Sequence, residues 1–243
     1  LDKLLTLNGS SGGARPKIVA LVSDDKQNLI HGNMAKSGYS PWLIKFASSL
    51  DNKNIGAEEY VYSLIAKDAG IDMPETYLFP SKTCIGHFGI KRFDRIGAEK
   101  VHIHTACGLL HANHRTSSIN YDGLLKLTSI LTRDIREVEK MVRLMIFNVK
   151  AGNKDDHSKN FSFMLDRNNN WKMTPAYDLT PSQGINGEQT SMVNGKGTDI
   201  TDSDLIKTAT PFGFSEKKVV AIIEQTDDAI ANYGKYMKEL GVK

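Results

Sequence analysis

Cysteine is nearly absent from this chain: its 243 residues include two, Cys84 and Cys107. They form neither a C-x-x-C pair nor a disulfide framework, which excludes a disulfide-stapled scaffold and favours a reducing, cytoplasmic compartment. Long hydrophobic runs are missing too. The longest, such as Ile18 to Val22, have the length of a strand and fall far short of a bilayer span, so no membrane association is expected. No basic, hydrophobic leader precedes them, and export is likewise not expected. Charge of one sign is also lacking. Lys and Arg number 31 against 28 Asp and Glu, a difference of +3, and no basic run exceeds a pair. Nucleic-acid binders usually concentrate their basic charge, so nucleic acid is expected only as an indirect partner. What remains, 40% apolar and 24% charged residues, is the balance of an ordinary globular chain with ample material for a core.

The hydrophobic pattern changes character along the chain. Leu4, Leu5 and Leu7, then Asn8 to Gly13, then Lys17 to Val22 read as two β-type runs around a Gly/Ser turn, by default a hairpin. Residues 23–40 are polar and rich in turn formers, and are expected to be a surface loop. Trp42 to Phe46 reads as a strand with one charge inside it. From Gly56 the period becomes helical through Val61, Leu64 and Ile65, with Glu58 and Glu59 in the first turn and Gly70 as C-cap. Thr76 to Phe79 and His87 to Phe93 are two further strand candidates. In the second half, Val138, Met141, Val142, Met145, Ile146 and Val149 follow the helical template without a miss and predict a helix that stops at Gly152. Two short strands (Phe161 to Leu165, Trp171 to Thr174), a Pro/Gly-rich stretch and a last helix from Glu216 to about Tyr233 complete the pattern. The expected fold is α+β: a small antiparallel sheet with one helix over residues 1–95 and a mainly helical part over 96–243, with the boundary near Asp94 to Lys100.

Chemistry concentrates after the long helix. The segment Asn153-Lys-Asp-Asp-His-Ser-Lys-Asn160 is polar, and Asp178 follows beyond the two short strands. Phosphoryl transfer needs a carboxylate to receive or orient the nucleophile's proton, and hard oxygen ligands for a Mg²⁺ that bridges phosphates. An Asp, an Asn five residues later and a second Asp past a hairpin fit that need, as in a kinase catalytic loop followed by a metal-binding Asp. Taken alone, D-x-x-x-x-N reads as an acidic surface loop with an Asx turn. Its context favours chemistry, because the other parts precede it in order. The Gly-rich segment from Gly9 to Lys17 could lay backbone N–H groups over phosphates, although it matches neither G-x-G-x-x-G nor the Walker pattern and also reads as a plain hairpin turn. Lys45 sits in an apolar strand, where an ammonium needs a partner or a ligand, or else snorkels from an edge. Glu59 opens the next helix and is placed to pair with it, or simply complements the helix dipole. Lys91-Arg92-Phe93 ends the sheet where a hinge would present backbone groups to adenine. His102, His104, His111 and His114 with Cys107 invite a zinc reading, but their spacing matches no structural finger, so no zinc site is expected.

Taken together, Ser10 to Lys17, Trp42-Leu-Ile-Lys45-Phe46, Glu59-Tyr60, Arg92-Phe-Asp-Arg95, Asp155 to Ser162 and Thr174-Pro-Ala-Tyr-Asp178 resemble the HipA family of serine/threonine kinases. Val193-Asn-Gly-Lys196, Asp199 to Leu205 and the closing helix resemble its C-terminal region, so the likeness covers nearly the whole chain. It implies a two-lobed protein-kinase-like fold, ATP and Mg²⁺ as cofactors, and the toxin role in a bacterial toxin–antitoxin module. The implied substrate is an aminoacyl-tRNA synthetase, whose phosphorylation stops translation. The implied partner is a helix-turn-helix antitoxin that would bring the chain to DNA indirectly.

Carried over by position, the resemblance makes Asp155 the catalytic base and Asn160 and Asp178 the metal ligands. Lys45 would hold the α/β-phosphates, with Gly12, Gly13, Ala14, Arg15, Lys17 and Glu59 around it. Lys91, Arg92 and Phe93 would contact adenine, and His157 and Tyr177 would border the phosphate end. Ser10, with Ser11 beside it, matches the autophosphorylated serine, where added negative charge should oppose ATP. Few residues precede Gly9, so the likeness is to the short HipT-type kinase, which implies a small third partner protein resembling the missing N-terminal subdomain. D-F-G and A-P-E motifs are absent, and Tyr177-Asp178-Leu179 stands in for the first. A nucleotide-binding pseudokinase, or a kinase for a small molecule or lipid, are the alternative readings.

Overall fold

Alternation of apolar and polar residues builds the first part of the molecule, seen in a computed structural model that describes residues 15–32, 36–49, 51–112 and 119–242. Strands β1 (Lys17–Ser23), β2 (Leu29–His31) and β3 (Tyr39–Lys45) are followed by helix α1 (Ile55–Asp68) and strands β4 (Thr76–Phe79) and β5 (His87–Lys91). The five strands form one sheet in the order β2-β1-β3-β5-β4, with every pairing antiparallel. Even-numbered residues of β1 and β3 point to one face, where Ile18, Ala20, Val22, Trp42, Ile44 and Phe46 pack with Phe79. The period of two therefore sends Lys17 and Lys45, which sit opposite each other in register, to the other face.

Polarity predicts a surface loop over residues 23–40, but the described part of that span contains β2 and the start of β3. A tight turn, in which Ser23 N donates to Asn28 O at 2.9 Å and Lys26 takes φ +61°, folds the chain back so that Leu29–His31 pairs with Ala20–Val22. Three residues are too few to show a period. The strand expected over His87 to Phe93 ends at Lys91. α1 carries Glu58 in its first turn, and Gly70 closes it at φ +76°, a left-handed position that suits glycine. A two-stranded ribbon, β6 (Arg95–Ile96) with β7 (Glu99–Lys100), turns at Gly97 (φ +61°).

The chain divides into two compact units. The sheet unit holds the described residues up to Leu64, Pro74–Val101 and those from Tyr233 on. The second, helical unit holds Ile65–Met73 and His102–Asn232. It contains β8 (Ile103–Thr105), α2 (Ala106–Leu109), α3 (Tyr121–Thr132), α4 (Ile135–Lys150), β9 (Ser162–Leu165), β10 (Trp171–Met173), α5 (Asp202–Ala209) and α6 (Glu216–Ala231). Its three strands are ordered β10-β9-β8.

α4 is the helix predicted from periodicity. Val138, Met141, Val142, Met145 and Ile146 are all buried, Asp134 caps its start by accepting from Arg136 N at 2.9 Å, and Gly152 turns the chain away at φ +72°. α3 was not anticipated. Asn120 caps it by accepting from Gly123 N at 2.9 Å, and Tyr121, Leu124, Leu125 and Thr128 form its buried stripe. The last predicted helix ends at Ala231 rather than Tyr233, with Asn232 as its C-cap. A separate helix, α7 (Tyr233–Glu239), follows and belongs to the sheet unit. Among the described residues no helix is long and apolar enough to cross a membrane.

Candidate active site

In the sheet unit the functional candidates gather around Lys45. It ends β3 at 9% exposure and forms an ion pair with Glu59 of α1, itself 2% exposed. Charges so deep require a partner, since desolvation of a lone ion costs several kcal/mol. Arg15 stands beside them, 3.9 Å from Glu59 and 3.1 Å from Asp51. The sequence-predicted Lys45–Glu59 pairing is thus present. Lys17 lies opposite Lys45 at the start of β1. Ser10, Ser11, Gly12, Gly13 and Ala14 lie outside the described residues.

Lys91 and Arg92 line a cleft of about 640 Å³ with Leu21, Tyr39, Pro41 and Lys100. Their backbone N–H groups are engaged, donating to Glu75 O and Pro41 O at 2.9 Å each. The Arg92 guanidinium grips Asp94 through two bonds of 2.8 and 2.6 Å, which holds Asp94 below the usual carboxylate range against the opposing effect of burial. Phe93 follows as the link between them.

In the helical unit, α4 delivers the chain into the loop 153–160 and β9 takes it away. Asp155 is exposed. Partial desolvation raises its pKa, His157 (Nε2 3.9 Å from the carboxylate) opposes that rise, and the Asp178 carboxylate adds to it. Asn160 is tied to the same residue, its Nδ2 donating to Asp155 O at 2.9 Å, which turns its Oδ1 away from that bond. Tyr177 carries Asp178 back towards the loop. Its hydroxyl donates to Lys159 O at 2.7 Å and meets Ser162 Oγ at 2.5 Å, and burial pushes it up to about 12. Asp178 itself sits at φ +58°, a left-handed conformation of the kind held at functional sites by surrounding structure. The helical unit therefore brings Asp155, His157, Asn160, Tyr177 and Asp178 together.

This set suits a hard cation that keeps water and phosphate among its ligands. Two protein oxygens, from Asn160 and Asp178, with a second carboxylate, Asp155, whose proton affinity is raised, match what Mg²⁺ and a general base need. Among the described residues no group of three or more His, Cys, Asp and Glu is arranged to hold a metal, and an Asn/Asp pair completed by phosphate requires none.

Sequence reasoning missed the residues beneath this loop. Asp156, 1% exposed, accepts from Tyr121 Oη at 2.6 Å, Gln189 Nε2 at 2.9 Å and Ser191 N at 2.9 Å. A second Asp directly after the first was the one available hint, and its partners lie 33 to 35 residues away in sequence.

The buried lysine–glutamate pair on an antiparallel sheet, and the Asp/Asn loop with its following Asp in a helical unit, are those of a kinase-like α+β fold. The chain belongs to the HipA-like C-terminal domain family, whose model matches residues 9–233. It is 26% identical over 238 residues to "Putative kinase Y4dM" of Sinorhizobium fredii, covering 90% of this chain and 58% of that protein. It is 25% identical over 186 residues to a "Putative kinase" of Haemophilus influenzae, covering 70% and 52%. The chain thus spans a little over half the length of these relatives. Among solved structures it resembles HipA of Shewanella oneidensis, determined with HipB and its operator DNA (TM-score 0.72, 18% identity, 94% of this chain and 59% of that one). It also resembles CtkA, a proinflammatory kinase of Helicobacter pylori (TM-score 0.51, 16% identity, 96% and 92%). At these identities the two structures speak for the fold.

Proposed function

We propose that the chain is an ATP- and Mg²⁺-dependent serine/threonine protein kinase that acts as the toxin of a toxin–antitoxin module. The observation that carries this reading is the tether between Asp155 and Asn160, with Asp178 close enough to act on the same carboxylate. In this reading Asp155 orients the acceptor hydroxyl and takes its proton, a role helped by partial desolvation, which raises its pKa above the ordinary carboxylate value. Asn160 and Asp178 would hold Mg²⁺, which supplies charge neutralisation at the phosphates. Lys45, fixed by Glu59, would bind the α/β-phosphates, and Arg92 with its neighbours would flank the base. Catalysis on this plan is positioning and electrostatics, with direct transfer to the acceptor hydroxyl and no covalent enzyme intermediate.

The family and the HipB-bound relative support a helix-turn-helix antitoxin as partner, through which operator DNA is reached. The substrate proposed is an aminoacyl-tRNA synthetase, with autophosphorylation at Ser10 or Ser11 and a cytoplasmic site of action. The test is phosphate transfer from γ-labelled ATP, followed by mass spectrometry of the chain and of a lysate. Asp155→Asn and Asp178→Asn should each lower transfer by about 10³-fold or more while the variants stay folded. Undiminished transfer by either variant would remove the assignment. Nucleotide binding without any transfer by the native chain would establish the pseudokinase alternative, and label found only in small molecules or lipid would change the acceptor class.

A further inference from the structure

The carbonyl groups of the loop 153–156 are all spoken for, and by whom is informative. Asn153 O accepts from Gln189 Nε2 at 2.7 Å. Lys154 O accepts from Thr190 Oγ1 at 2.8 Å and from Thr190 N at 3.1 Å. Asp156 O accepts from Ser191 Oγ at 2.6 Å. The one carbonyl left to the loop itself is that of Asp155, and it is the one bonded to Asn160. The segment 187–191 therefore grips the loop on either side of Asp155. Lys154 Nζ adds a bond back to Gly187 O at 2.8 Å. The approach of this segment needs Gly184 (φ +66°), where a Cβ would stand 2.2 Å from Glu188 O and 2.9 Å from Lys154 Cβ.

At the centre of the grip is the Asp156 carboxylate, the one charged group buried within it. Each neighbour facing it donates: Ser191 N, Gln189 Nε2, and the Tyr121 hydroxyl of α3, which is itself oriented by accepting from Asn148 Nδ2 of α4 at 3.0 Å. Asn153 Nδ2 extends the chain to Asn148 Oδ1 at 3.0 Å. A buried carboxylate is a poor choice for stability alone, because well-packed apolar groups of similar volume do as well or better. What it supplies is direction, since three donors from two segments, α3 and 187–191, fix one residue of the loop in space.

We propose that Asp156 is a positioning residue for the site proposed above: it holds Asp155 and Asn160 in their working geometry by fastening the loop 153–156 to α3 and to the segment 187–191. This rests on the kinase reading for its consequence, though not for its geometry. Burial opposes the charge and the donors favour it, leaving Asp156 raised to about 7. Protonation would turn one acceptor into a donor facing donors, so the hydrogen bonds described are those of the ionised carboxylate, while burial favours the proton.

The experiment uses the full chain and two variants, Asp156→Asn and the gentler Tyr121→Phe, which removes a single hydroxyl. Hydrogen exchange is read at the amides of Asn160, Thr190 and Ser191, and kcat and KM for ATP are read from pH 6 to 9. Both variants should exchange about tenfold faster at these amides than the native chain, with amides of α4 unchanged. Asp156→Asn should lower kcat by about 10²-fold with KM for ATP nearly unchanged. Tyr121→Phe should lower kcat less and move the acid limb of the kcat profile upward in pH. Unchanged exchange in a folded Tyr121→Phe variant would overturn the fastening, whatever the activity. Faster exchange with native kcat, in a chain whose Asp155→Asn variant is dead, would overturn the positioning role. A native chain that transfers no phosphate at all would refute the kinase reading, and the exchange data alone would then decide whether the fastening exists.

Discussion

The two units solve the problem of a buried charge in opposite ways. In the sheet unit, the Lys45 ammonium and the Glu59 carboxylate neutralise each other directly, with Arg15 close by. In the helical unit, the Asp156 carboxylate is held by neutral donors from Tyr121, Gln189 and Ser191, with no ion pair to it among the described residues. An ion pair fixes the position of a charge that, on the proposed reading, also serves a ligand, because the lysine of the pair can be shared with phosphate. A set of neutral donors fixes a backbone, because Tyr121 on one side and Gln189 with Ser191 on the other belong to different segments. The first arrangement suits a group that binds, the second a group that positions.

That contrast can be broken from either side. The largest effect is expected at Lys45. Lys45→Met leaves Glu59 buried with Arg15, 3.9 Å away, as its remaining cation, so the unfolding free energy should drop by roughly 3–5 kcal/mol, less whatever Arg15 offsets. Phosphate transfer should be lost as well. The double variant Lys45→Met/Glu59→Leu should regain most of the stability, measured by denaturant unfolding, and none of the transfer. Recovery of transfer would show that the pair is structural.

A smaller effect is expected from the pH dependence of stability. Asp156 has a folded pKa raised from its ordinary 3.8 to about 7, so between these values the folded chain holds a proton that the unfolded chain has released. Its contribution is fully present below pH 4 and is lost as pH rises to about 7, by up to roughly 4 kcal/mol. The native chain should therefore lose stability relative to Asp156→Asn across that window. Parallel curves for the two would mean that burial does not govern this carboxyl. The smallest effect is expected at the surface pair Arg136–Asp134, where the arginine side chain is 84% exposed. Arg136→Ala should leave the melting temperature unchanged, and a clear drop would show that exposed pairs matter here more than their screening allows.

Much of the fold was legible because it rests on local periodicity. β3, β4, α1 and α4 follow from runs whose period appears within ten or so residues. β2 and α3 escaped for different reasons: three residues carry no period, and the stripe of α3 mixes Tyr121 and Thr128 with two leucines. The same division holds at the site. Asp155, Asn160, Asp178, Lys45 and Glu59 could be named because order and spacing carry them. Asp156, Gln189, Ser191 and Tyr121 could not, because nothing in a linear pattern joins residues 33 to 35 positions apart. Adjacent aspartates look alike in sequence, and only the fold makes one exposed and the other buried.

The central claim is that Asp155 serves the chemistry while Asn160 and Asp178 serve the metal. Calorimetric titration of ATP with and without Mg²⁺ into the native chain, Asp155→Asn and Asp178→Asn tests it most directly. The account predicts Mg²⁺-dependent binding that Asp155→Asn keeps while losing transfer, and that Asp178→Asn loses. Equal Mg²⁺ dependence in all three proteins would contradict it.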